Sequence, residues 1–368
     1  MLKSRRLSGD YMLPIAVLVL ALVGAVFIYS ASNYTAEKTY GDGLFFVKKQ
    51  MIGIALGTIA MFFASFFDYK KLKKFTIPVA VVAFVTLILV FVPGIGVENY
   101  GAKRWIGFGG VTLQPSEIAK FSLILFTATY VSSKPERIKT FKGILPVLLF
   151  GGANCLLIIL EPYMSITVCV ALLMLTMLLA VGMKIKHFLM LFVPAVAAAV
   201  ALILLEPYRL LRLAAFLDPW SSPKGEGYQL LQSLYALGSG GWFGVGLFNS
   251  RQKYAFLPFA ESDFILSVIG EEIGFVGLIF FFALIGFIIY RGLKIASKSK
   301  DVFGYVLSVG ITMIFGIQAV VNALVVTGSI PPTGLPLPLV SSGNTSIIIF
   351  MTEMGILLNV SKQGSLTF

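Results

Sequence analysis

Long apolar runs alternate with short polar joints along most of this chain. Ten of them read as helices that cross a bilayer: 12–31, 47–67, 75–93, 115–132, 143–160, 164–181, 187–205, 264–290, 303–327 and 344–360. The fourth is short, and the sixth follows closely on its neighbour. The first looks like a secretion signal with Ser30-Ala31-Ser32 as its cleavage site. Its apolar stretch is long for a signal and nine further runs follow, so it reads as a retained span. One polar, glycine-studded stretch from about 206 to 263 breaks the pattern. So elaborate a loop is kept where something is bound or transformed. The predicted fold is an all-α integral membrane protein, one polytopic membrane domain over residues 1–368. Its ten transmembrane helices leave the large loop between the seventh and eighth.

Composition supports this. The chain is 58% hydrophobic and 12% charged, with mean hydropathy +0.92, too little polar surface for a soluble domain. Cys155 and Cys169 lie inside apolar runs and read as inert packing residues. The single His187 excludes a multi-histidine metal centre within the chain. A net charge of +12 could suggest nucleic acid. Its placement points to topology instead. Alternate loops hold most of the lysines and arginines, among them Lys70, Lys71, Lys73 and Lys74, then Arg291, Lys294, Lys298 and Lys300. Positive loops face the cytoplasm. Both termini are therefore expected inside and the 206–263 loop outside. No internal repeat is visible.

Several polar residues could carry chemistry. Asp263 ends the long loop where the eighth run begins. A partly desolvated carboxylate there can act as a general base. Ser262 or Asp263 could equally be a helix N-cap, and the two roles are compatible. Glu271 and Glu272 lie about two turns further in, where charges face a cavity or a partner. At about 100° per residue, Glu271 is the one placed to share a site with Asp263. Ser267, Gly270, Gly274 and Gly277 make a small-residue stripe that suits helix packing.

Between the third and fourth runs lie Lys103, Arg104 and Trp105, then Gln114, Pro115, Glu117 and Lys120. Glu117 and Lys120 share a helix face, either as an ion pair between helices or as part of a site. Arg104 could hold a phosphate bidentately, with Arg209, Arg212, Arg251 and Lys253 as further cations; lipid anchoring is the alternative. The proline-rich run Thr327–Gly343 cannot be continuous helix. Such backbone survives near membrane depth when it lines a cavity or is buried in protein.

These motifs carry a resemblance. Gly101-Ala-Lys-Arg-Trp-Ile with Gln114-Pro-Ser-Glu-Ile-Ala-Lys120, Phe216-Leu-Asp-Pro-Trp220 and the run Gly227–Gly241 are similar to the SEDS family (shape, elongation, division and sporulation). Gly244-Val-Gly-Leu, Asp263-Phe-Ile, Gly270-Glu-Glu-Ile-Gly274 and Thr333-Gly-Leu-Pro-Leu-Pro338 complete the match over nearly the whole chain. The Ser-Leu-Tyr-Ala run and Asn249-Ser-Arg-Gln-Lys253 resemble the FtsW and SpoVE branch more than RodA.

The resemblance implies an inverting peptidoglycan glycosyltransferase that polymerises lipid II into β-1,4 glycan and releases undecaprenyl diphosphate, for septal or spore wall synthesis. It also implies a class B penicillin-binding protein, a transpeptidase, as partner among other cell-wall proteins, and no nucleic acid. It puts the catalytic role on Asp263, acting directly or through a divalent cation (Mg2+ or Mn2+), with no organic cofactor. Lys103, Arg104, Gln114, Glu117, Lys120, Arg212, Lys253, Glu271 and Ser341 are the expected substrate-binding residues.

The chain also departs from the family. Where the family has Glu-Pro-Asp-x-Gly, it reads Glu161-Pro162-Tyr163-Met164-Ser165; it also reads Pro258-Phe-Ala-Glu-Ser-Asp263 and Ser341-Ser-Gly-Asn-Thr345 in place of the usual patterns. Two other readings compete. A lipid II flippase would keep transporting after Asp263→Ala, and a scaffold for the transpeptidase would tolerate loss of the loop charges.

Overall fold

The computed structural model describes residues 9–364 except Tyr100, Gly101, Gly109, Gly110, Pro162, Glu206 and Ala255. Along the chain run α1 (Met12–Tyr40), α2 (Phe45–Phe66), α3 (Thr76–Leu89), α4 (Pro115–Ser133), α5 (Phe141–Leu160) and α6 (Met164–Ala180). They are followed by α7 (Ile185–Leu204), α8 (Pro207–Leu217), α9 (Tyr228–Gly240), α10 (Ile265–Ser297), α11 (Val302–Val326) and α12 (Asn344–Gln363). Seven helices among the described residues are long and apolar enough to cross a membrane. Of the other helices at predicted spans, α4 carries the buried charges Glu117 and Lys120. Met164–Ala180 and the apolar stretch Ile185–Ala198 are shorter. Large apolar side chains such as Phe62, Phe63, Phe66 and Ile77 face outward, as they do when lipid is the solvent.

Two segments read as loops are ordered otherwise. The α3–α4 connection is an antiparallel meander of β1 (Gly96–Asn99), β2 (Ala102–Phe108) and β3 (Val111–Leu113). Ile106 pairs with Gly96 on one side and with Leu113 on the other. The 206–263 stretch contains α8 and α9. α9 packs on α10 where two glycines meet: a Cβ at Gly240 would lie 2.2 Å from the Gly270 carbonyl oxygen. Part of the small-residue stripe is thus a helix contact.

α10 is broken at Gly274, whose φ is 65°. The break frees backbone groups that must find partners. The chain after α9 supplies them. Val245 and Gly246 donate to the carbonyls of Glu271 (2.9 Å) and Glu272 (3.0 Å), and Phe275 and Val276 donate to Gly241 (2.9 Å) and Trp242 (3.0 Å). A side chain at Gly274 would be doubly unfavourable, because its Cβ would sit 2.3 Å from the Gly244 nitrogen in left-handed backbone. Gly274→Ala is expected to cost about 1–3 kcal/mol, read as a lower melting temperature in detergent; an unchanged melting temperature would count against this join.

The opposite end of the bundle is tied by polar contacts. Arg291 of α10 holds both carboxylate oxygens of Asp10. Asn359 of α12 accepts from the Tyr69 nitrogen (3.0 Å) and donates to the Ser65 carbonyl (3.0 Å). These contacts leave the other end, with the sheet and the long loop, to form a cavity.

Candidate active site

That cavity has a volume of about 110 Å³. Trp105 and Thr112 of the sheet, Gln114, Tyr163, the Ser262–Asp263 turn and the chain from Pro336 to Ile347 line it. The proline-rich segment therefore lines a cavity, as its irregular backbone requires. Asp263 is half-buried. Ser262 Oγ donates to its Oδ1 (3.0 Å). Oδ2 faces Gly334, where a Cβ would come within 3.1 Å, so glycine lets the main chain lie against the carboxylate. Gly334 has a φ of 67°. Asp263 does not cap α10: the N-cap position is Phe264, and no side chain bonds there. The carboxylate is left for other work.

The surrounding main chain is stapled. Asn322 Nδ2 donates to the carbonyls of Asp263 (2.8 Å) and Leu335 (2.7 Å). Ser341 Oγ accepts from the Leu337 nitrogen (2.8 Å) and donates to the Ser262 carbonyl (2.7 Å). The Ser342 nitrogen donates to the Glu261 carbonyl (2.9 Å). These bonds hold the proline-rich segment over the turn that bears Asp263.

Burial raises the Asp263 carboxyl above the ordinary range, while the Ser262 hydroxyl and the charges of Arg104 and Arg212 oppose the rise. Arg104 lies over the Tyr163 ring at 4.4 Å. Arg212 reaches Glu226 at 3.3 Å and borders a second cavity of about 210 Å³ with Tyr228, Gln229, Pro258 and Phe259. One carboxylate that lines a cavity and feels the charges of two guanidinium groups can take a proton while anionic charge is held nearby.

The other expected site residues divide. Gln114 and Tyr163 both line the cavity, and the Tyr163 hydroxyl donates to the Gly334 carbonyl (3.4 Å). Ser341 lines it with its hydroxyl already engaged. Lys103 is exposed on β2. Arg251 is exposed, and the side chain of Arg209 lies outside the described residues.

The structure does not bring Glu271 to Asp263. Its carboxylate accepts from the Arg251 nitrogen (2.9 Å), the Ser239 hydroxyl (3.3 Å) and the Gln252 nitrogen (3.4 Å). Lys253 is buried with it, 3.5 Å from Glu272 and 3.2 Å from the Ser30 hydroxyl of α1. This group clasps the loop to the broken helix. Glu117 and Lys120 form an ion pair of 2.7 Å at 1% and 2% side-chain exposure. Lys120 also donates to Gln318 of α11 (2.8 Å). The pair joins α4 to α11 away from the cavity lining.

Four residues escaped the sequence reading as site or core polar groups: Asn322, Gln318, Glu353 and Glu161. Gln318 and Asn322 stand four apart in an apolar helix, which places them on one face. Two amides repeated at that spacing in a membrane helix are the signal that could have found them. A divalent cation has a limited donor set here. No group of three His, Cys, Asp or Glu that could hold a metal exists among the described residues. Asp263 alone fits the mode in which Mg2+ takes one carboxylate and completes its shell with substrate phosphates and water.

The profile of the FtsW, RodA and SpoVE family, described as a cell cycle protein, matches residues 10–366. Stage V sporulation protein E of Bacillus subtilis (strain 168) is 37% identical over 362 residues, 98% of this chain and 99% of that protein. The probable peptidoglycan glycosyltransferase FtsW of Geobacter sp. (strain M18) is 39% identical over 361 residues, 98% of each chain. Among solved structures, a chain of a peptidoglycan synthase complex superposes with a TM-score of 0.80 at 27% identity, covering 98% of this chain and 99% of that one. The rod shape determining protein RodA of Thermus thermophilus shares the fold, with a TM-score of 0.72 at 24% identity over 98% of this chain and 99% of that one. With the family profile matching residues 10–366 and relatives 37% and 39% identical over 98% of its length, the chain belongs to the FtsW, RodA and SpoVE family of multi-pass bacterial membrane proteins.

Proposed function

We propose that the chain is a peptidoglycan glycosyltransferase that polymerises lipid II into β-1,4 glycan and releases undecaprenyl diphosphate. The observation that carries this is Asp263, a carboxylate free of any capping duty and raised by burial, beside a cavity within reach of two guanidinium charges. Names among the relatives support the activity, as does the likeness to a chain of a peptidoglycan synthase complex. The sporulation protein among them supports a role in septal or spore wall synthesis.

In the reaction, Asp263 takes the proton of the acceptor 4-hydroxyl as that oxygen attacks the donor's anomeric carbon. The bond from that carbon to the diphosphate breaks from the opposite face, so configuration inverts. The electron pair leaves on undecaprenyl diphosphate, where Arg104 and Arg212 hold the developing charge. When bound, Mg2+ or Mn2+ would be held by Asp263 and would neutralise diphosphate charge. The topology completes the reading. The distribution of loop charges supports ten spans with both termini in the cytoplasm, a topology that would put the cavity and the 206–263 segment on the extracytoplasmic side, where lipid II presents its head group. A class B penicillin-binding protein then crosslinks the glycan.

Arg104→Ala and Arg212→Ala are each expected to raise the KM for lipid II about tenfold, the loss of one charge-assisted contact. Initial polymerisation rates at limiting lipid II check this. Normal rates in both variants would remove these residues from the diphosphate site.

A further inference from the structure

The turn between α5 and α6 carries a titratable group that the reaction above does not use. Glu161 follows α5 directly and is 1% exposed. Both its carboxyl oxygens are buried without a hydrogen-bond partner. Buried carboxylates are ordinarily bonded, so this one has a reason to stay open. Two residues on, the Tyr163 ring lies against the Arg104 guanidinium. Arg104 therefore stands over this turn, and its charge acts on both Glu161 and Asp263. Of the charged groups on elements packed around the turn, Glu117 and Lys120 of α4 are closed in their own pair. Arg104 on β2 is the charge that acts on Glu161.

We propose that Glu161 is a positioning residue that gates Arg104 by its protonation state, releasing the guanidinium to an anionic diphosphate when neutral and drawing it back when ionised. The inference rests on the reading of Arg104 as a diphosphate contact. The Tyr163 ring holds the guanidinium over the turn through cation–π attraction, between the two anions that compete for it. The sign follows from competition: one guanidinium shared between a carboxylate and a diphosphate gives less to each. Burial pushes Glu161 up to about 8, with Arg104 opposing. The neutral form therefore dominates below that pH, and anion binding weakens above it.

The test is binding of undecaprenyl diphosphate to the full-length protein in detergent, measured one pH unit either side of about 8. Wild type is expected to bind up to about tenfold more weakly at the higher pH, the slope of one linked proton. Glu161→Gln, a neutral mimic of the same shape, is expected to bind as tightly as wild type at the lower pH and to show no such slope. Subtracting its profile removes titration of the ligand. Arg104→Ala should bind weakly at both. A flat wild-type profile overturns the gate, as does a Glu161→Gln slope equal to wild type or a folded Glu161→Gln that binds weakly throughout. Arg104→Ala binding as tightly as wild type would instead sink the diphosphate assignment itself.

Discussion

Asp263→Ala is expected to abolish glycan formation while leaving the protein folded. The turnover lost is about 10²–10⁴-fold, the usual contribution of a positioned general base. The separation of fold from activity follows from the local bonding. The structural load at this position falls on the main-chain carbonyl, held by Asn322 at 2.8 Å, while among the described residues the side chain accepts from its neighbour Ser262 at 3.0 Å. Removing the carboxylate leaves the Asn322 and Ser341 staples in place. Asp263→Asn, which keeps the shape and loses the basicity, should be as inactive as the alanine variant. The wild-type rate should rise with pH as Asp263 gives up its proton. Because burial raises that carboxyl, the rise falls above the ordinary aspartate range. Polymerisation rates with labelled lipid II, alongside thermal unfolding, check all of this. An Asn variant polymerising at the wild-type rate would remove Asp263 from the chemistry.

Lys120→Ala is expected to destabilise the protein by about 3–5 kcal/mol, the cost of leaving a buried partner charge uncompensated. Lys120 bonds both Glu117 and Gln318, and the Glu353 side chain is buried nearby on α12. Loss of the ammonium would leave Glu117 without its counter-charge between helices that have no water to offer. The double variant Glu117→Gln with Lys120→Met removes both charges and should recover much of the loss. Melting temperatures in detergent give the comparison. A Lys120→Ala protein that melts with wild type would show that the pair contributes nothing to holding α4 against α11.

The helices were legible because lipid imposes one rule on them. Every backbone group must be bonded within the span, so apolar length alone locates α1, α2 and α5, with ends within a few residues or, for α1, a longer helix. The sheet was not legible. β1 and β3 are only four and three residues long and hold together through pairing across the meander, which no local periodicity reports. The break at Gly274 was hidden for a related reason. A glycine in a small-residue stripe reads as packing, whereas its left-handed backbone appears only once the 241–246 segment supplies partners.

The same divide runs through the site. Asp263 could be singled out because a carboxylate at the end of a polar loop is conspicuous against an apolar helix. Its partition from Glu271 could not, since angular position assumes one unbroken helix and says nothing of the backbone nitrogens that claim the Glu271 carboxylate. The partners of Lys253 were hidden for the same reason: its place in an outer loop says nothing of the Ser30 hydroxyl of the distant α1, against which it lies buried. Asn322 carried a signal in its spacing from Gln318, while its carbonyl partners lie outside its own helix, on Asp263 and Leu335.

The most direct test of the account is to incubate purified wild-type protein with labelled lipid II, alone and with the proposed class B penicillin-binding protein partner, and to resolve the products by length. The account predicts long glycan strands with release of undecaprenyl diphosphate. Lipid II that crosses vesicle membranes but is never joined into polymer, with the partner and divalent cation present, would contradict it.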